Sequence, residues 1–63
     1  MKVSYKDITT GITVTAKLKG HNWHVECPAL VGKGFKEGGT YVPDGFYFDK
    51  WVKGWEQAGL VRV

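Results

Sequence analysis

Apolar and polar residues alternate strictly over Ile12-Thr-Val14-Thr-Ala16-Lys-Leu18-Lys19, and the run ends at Gly20. A period of two places one side chain inward and the next outward, so this segment predicts a half-buried strand with Thr and Lys on its wet face. Lys2-Val3-Ser4-Tyr5-Lys6 and Trp23-His24-Val25-Glu26-Cys27 alternate in the same way, and Pro28, which has no N–H to donate, ends the third run. Partners across a pair of strands must share a face. A two-residue Gly20-His21 turn, with Gly first as a type II′ turn requires, sets Leu18 opposite Trp23, Ala16 opposite Val25 and Val14 opposite Cys27. For the first pair we expect Val3 opposite Leu18 and Tyr5 opposite Ala16, closed by a loop around Thr9-Thr10-Gly11.

Residues 29–39 hold four of the nine glycines and read as a mobile, mildly basic loop. The segment Thr40–Phe48 is centred on Pro43-Asp44-Gly45, a turn signature. It predicts a second hairpin, with Val42 paired to Phe46 on one face and Tyr41 to Tyr47 on the other. Beyond it the period changes: Phe48, Trp51, Val52, Trp55 and Gly59 recur at helical spacing. Asp49 suits the N-cap and Gly59 the C′ position, after which Leu60–Val63 predicts a short last strand. The expectation is an α+β fold: a small twisted antiparallel sheet or open barrel, made of a three-stranded meander and a second hairpin, with one C-terminal helix and a final strand.

Length confines these 63 residues to a single domain, 1–63, near the lower limit for independent folding. Cys27 is the only cysteine, so no disulfide can compensate within the chain; three Trp, three Tyr and three Phe supply large buried surfaces instead. One thiol, no signal-like N-terminus and no long apolar window predict a cytoplasmic protein with no membrane partner. The net charge of +3 permits an acidic partner without demanding one.

His21, His24 and Cys27 invite a metal reading, but His24 and Cys27 are three apart on a strand and so face opposite sides. No further His or Cys completes a tetrahedral set, and the same parity separates a thiol nucleophile from its base. The loop Gly32-Lys33-Gly34-Phe35-Lys36-Glu37-Gly38 matches no phosphate-binding pattern. We therefore expect no catalytic residues, no metal and no cofactor.

Two surfaces remain as candidates. The outward face of the meander places Lys2 opposite Lys19, Ser4 beside Lys17 and His24, and Lys6 beside Thr15 and Glu26. It reads either as a solvated lysine face that resists aggregation or as an anion-binding face. Aromatic residues are expected to be absent from it, which argues against base stacking. The second surface is aromatic: Tyr41, Tyr47 and Trp51, with Trp51 at the margin of the helical stripe and Trp55 at its centre. Gly54, costly inside a helix, suggests a close approach there.

The sequence thus predicts a non-catalytic protein-binding module, an inhibitor or adaptor that occupies a surface of a larger partner through Tyr41, Tyr47 and Trp51. By analogy, it would suit a phage or mobile-element product. The alternative is a nucleic-acid-binding module using Lys2, Lys6, Lys17, Lys19, Lys33 and Lys36. A homo-oligomer, joined through an edge strand or the Trp51 flank, is the third reading.

Overall fold

The structure is a computed structural model that describes residues 1–63. Five strands form one open antiparallel sheet: β1 (Lys2–Asp7), β2 (Thr13–Lys19), β3 (Asn22–Glu26), β4 (Thr40–Pro43) and β5 (Leu60–Arg62), in the order β4-β3-β2-β1-β5. It is not closed into a barrel. The helix α1 (Phe46–Gln57) joins β4 to β5, the two opposite edges of the sheet, and covers the inner face on its way.

The β2–β3 pairing is the expected one, with Leu18 opposite Trp23 and Ala16 opposite Val25. Gly20 has φ 64°, and His21 keeps a negative φ, as a type II′ turn demands. The β1–β2 register differs from expectation by two residues: Val3 lies opposite Ala16, Tyr5 opposite Val14 and Lys2 opposite Lys17. The cause is local. The Asp7 carboxylate accepts the N–H groups of Thr9 (2.9 Å) and Thr10 (3.4 Å), while its carbonyl accepts Gly11 N–H at 2.7 Å. The turn therefore closes on Asp7 itself. A slip of two leaves every side chain on its expected face, so the core is unaffected.

The second expected hairpin does not form. Asp44 N–H still donates to the His21 carbonyl at 3.0 Å, so β4 pairs with β3, placing Val42 opposite Trp23 and Tyr41 opposite His24. Gly45, at φ 91°, then turns the chain directly into α1, and Phe46 and Tyr47 belong to its first turn instead of a returning strand. Gly45, not Asp49, is the N-cap; Asp49 sits in the first turn, where a carboxylate favours the positive helix end. Strand propensity in Phe46-Tyr47-Phe48 yields to packing: within the helix, Phe48 lies buried against the sheet, stacked on Trp23. Gly59, at φ 93°, ends the helix as expected, and β5 pairs with β1.

Nine residues form the buried core: Val3, Tyr5, Val14, Ala16, Trp23, Val25, Cys27, Val42 and Phe48. Its aromatic members connect outward through a continuous set of rings. Trp23 stacks on Phe48 (centroids 4.1 Å apart, planes 7° apart), and Phe48 meets Trp55 edge-on at 6.1 Å. Trp55 in turn touches Tyr5 at 5.4 Å and Trp51 at 6.1 Å, and Trp51 meets Phe35 at 5.9 Å. Trp51 and Trp55 are both half-buried, so the expected contrast between a marginal and a central tryptophan is weaker than the helical wheel implies; Phe48 is the one helix residue fully buried. The Trp23 indole N–H donates to Asp44 at 2.8 Å, which satisfies the polar atom of this buried ring.

The glycine-rich segment is not an unstructured connection. A short 3₁₀ turn (Pro28–Leu30) is followed by Lys33 N–H to the Leu30 carbonyl (2.9 Å), Gly32 N–H to Phe35 (3.0 Å) and Gly39 N–H to Lys36 (3.0 Å). Leu30 and Phe35 pack against the core and pin these turns to it.

Candidate functional site

Helix and edge strand together build the aromatic surface. Tyr41 stands on β4, and Tyr47 and Trp51 lie one turn apart on α1. The three line one shallow groove of ≈ 200 Å³ with Val42 and Pro43. The rings that the sequence suggested for one surface therefore do share one, although Tyr41 and Tyr47 are not a cross-strand pair. Tyr41 is 61% exposed and Tyr47 60%. Phe46, expected to pack inward against Val42, is instead 72% exposed and meets Tyr47 edge-on at 5.4 Å. It is the aromatic residue that sequence reasoning missed; the signal was Gly45, read as the end of a turn when it was also the start of a helix.

The groove opens beside a free sheet edge. Hydrogen-bonded and non-bonded pairs alternate along an antiparallel ladder, and Asp44 is bonded to His21. Val42 and Thr40 therefore bond toward β3, while Tyr41 and Pro43 direct their backbone groups outward. Proline offers no donor and Gly39 N–H is already used, so the Tyr41 N–H is the donor left along that edge.

The outer face of the sheet carries Lys2 and Lys6 from β1, Lys17 and Lys19 from β2, and His24 and Glu26 from β3. Lys2 is directly opposite Lys17, Lys17 opposite His24, and His24 opposite Tyr41. Ser4 lies opposite Thr15, and Lys6 opposite Thr13, where Lys17 and Thr15 respectively were expected. From β1 to β3 this face carries no aromatic residue, as expected, but the adjoining β4 adds one to it. Tyr41 stands on it, 4.8 Å from the His24 ring and tilted by 34°. Parity alone had placed Tyr41 outward; what the sequence left open was which strand β4 would join. Lys33 and Lys36 are not on the strands of this face. Both lie on the turns after Pro28, and Lys36 borders a cleft of ≈ 460 Å³ with Glu26, Glu37 and Gly38.

His24 is held from two sides. Its Nε2 donates to the Gly38 carbonyl at 2.7 Å, and Nδ1 lies 3.2 Å from Glu26 Oε1. A Cβ on Gly39 would collide with this ring and come within 2.9 Å of Glu26 Cγ, so glycine is needed where the loop backbone crosses the imidazole. Cys27 is buried on the opposite side of the sheet, apart from His24. Gly54 has open space around it, not the close neighbour expected of it.

No helix of the chain is long and apolar enough to cross a membrane. No protein-family profile, curated protein or solved structure matches the chain.

Proposed function

We propose that this protein is a non-catalytic binding module, an inhibitor or adaptor that seats an apolar side chain of a larger protein in the groove beside β4. The observation that carries this reading is the convergence of Tyr41, Tyr47 and Trp51 on one groove, with Phe46 exposed next to it. Aromatic rings left in water at a concave site have the composition and shape of interaction hot spots, where Tyr and Trp are enriched. Part of the groove is held in place: Trp51 is packed against Phe35 and Trp55, and Val42 is a core residue. A partner would meet a surface already formed in part, which lowers the ordering cost of binding.

The test is a comparison of baits. Wild-type protein and the Tyr47→Ala variant, both shown folded by circular dichroism, are immobilised and challenged with host lysate read by mass spectrometry. A protein retained by the wild type and lost by the variant supports the proposal. Identical captures from the two baits would refute it, because the groove would then contribute nothing.

A further inference from the structure

The charge of this protein is segregated by face. Lys2, Lys6, Lys17 and Lys19 share the outer sheet face with one carboxylate, Glu26. The other five cations, Lys33, Lys36, Lys50, Lys53 and Arg62, are matched by five carboxylates elsewhere, so this single face accounts for the whole formal charge of +3. Glu26 lies 3.2 Å from His24 Nδ1, and none of the four lysines of the face is paired with a carboxylate. Lys2 and Lys17 are also directly opposed at a non-hydrogen-bonded position, where side chains come closest and like charges repel.

An aromatic pair ends the same row. Tyr41, His24, Lys17 and Lys2 follow one another across β4, β3, β2 and β1. With strands about 4.8 Å apart the row is about 14 Å long. From Tyr41 to Lys2 that is about four stacking steps of about 3.4 Å, with the His24 position covered by Gly38 and Gly39. Tyr41 offers an exposed ring, and its neighbour His24 is immobilised by Gly38 and Glu26. Cations that follow a backbone, beside an aromatic ring on which a base can stack, are the two parts of a single-strand site. The hydroxyls of Ser4, Thr13 and Thr15 lie on the same face.

We propose that the outer face of the sheet binds single-stranded nucleic acid, with a base stacked on Tyr41 and phosphates on Lys17 and Lys2. Single-strand geometry is favoured over duplex because this broad sheet face projects no helix or narrow ribbon to enter a groove. The site is distinct from the groove proposed for a protein partner, although Tyr41 borders both.

The experiment is fluorescence anisotropy with a labelled oligothymidylate of about 12 nucleotides, within the range one small domain covers. Unlabelled duplex of the same length and poly-glutamate serve as competitors. The log of the binding constant should fall linearly with log salt, by about 0.7 for each phosphate neutralised. Lys17→Gln should reduce that slope by about 0.7. Tyr41→Ala should weaken binding about tenfold, while Tyr41→Phe, which keeps the ring, should restore it. Tyr47→Ala and Lys33→Gln should bind as the wild type does, which separates this site from the groove and the loop. Absence of binding at low salt overturns the proposal, as does undiminished binding by Tyr41→Ala. Equal or better competition by duplex or by poly-glutamate also overturns it, assigning the face to another anion.

Discussion

The two faces of the sheet differ in what they hold and in what they leave free. On the inner face, Val3, Tyr5, Val14, Ala16, Trp23 and Val25 are buried beneath α1, and the ring network from Trp23 to Phe35 ties strand, helix and loop together. On the outer face every position from β1 to β3 is polar, the lysines are unpaired, and Tyr41 stands exposed at one end. Hydrophobic burial scales with apolar area removed from water, so the inner face supplies the stability. The outer face is thereby released to carry a repulsive arrangement of charge. In a chain of 63 residues the separation matters, since total stability is only about 0.05–0.15 kcal/mol per residue.

The largest expected effect lies on the inner face. Trp23→Ala removes the ring stacked on Phe48 and orphans Asp44, and truncation of a buried Trp costs about 3–5 kcal/mol, comparable to the stability of the whole domain. The variant should be unfolded by circular dichroism at room temperature; a cooperative melt near that of the wild type would show that the aromatic network is not the core. Next comes Gly39→Ala. Its φ of 99° and the His24 ring in the way predict a loss of about 1–3 kcal/mol, read by urea denaturation. A neutral result would mean that the loop does not rest on His24.

Gly54→Ala should move stability in the opposite direction. The site is helical, without left-handed φ and with open space around it, so the exchange should stabilise by about 0.5–1 kcal/mol. A loss would reveal a packing role for Gly54. Smallest of all is Lys17→Glu, which replaces the repulsion across from Lys2 with attraction and should raise stability by about 0.2–1 kcal/mol, an effect that fades as salt is added. If it destabilises instead, the outer face belongs to the fold more than its exposure implies.

Which parts of this architecture the sequence discloses follows from the same division. Burial dictates parity, so Val3, Tyr5, Val14, Ala16, Trp23, Val25 and Cys27 are assigned inward from alternation alone, and all are buried. Register is decided by weaker forces, here the Asp7 carboxylate closing its own turn, and a two-residue slip is invisible to a parity argument. Pro43-Asp44-Gly45 signals a change of direction correctly, but the choice between a returning strand and a helix depends on where Phe48 must land against Trp23, a contact distant in sequence. The candidate site shows the same limit. Tyr41, Tyr47 and Trp51 can be singled out as aromatic residues off the core, yet their meeting in one groove depends on α1 starting at Phe46. That Tyr41 also joins the lysine face depends on β4 pairing with β3.

The claim on which both binding proposals rest is that the exposed tyrosines are surplus to the fold. Urea denaturation of the Tyr41→Ala, Tyr47→Ala double variant tests it most directly. Both rings are more than half exposed, so together their removal should cost no more than about 1 kcal/mol, with an unchanged m-value. A loss of about 3 kcal/mol or more, the size expected when a core aromatic is truncated, would show instead that these rings hold the protein together.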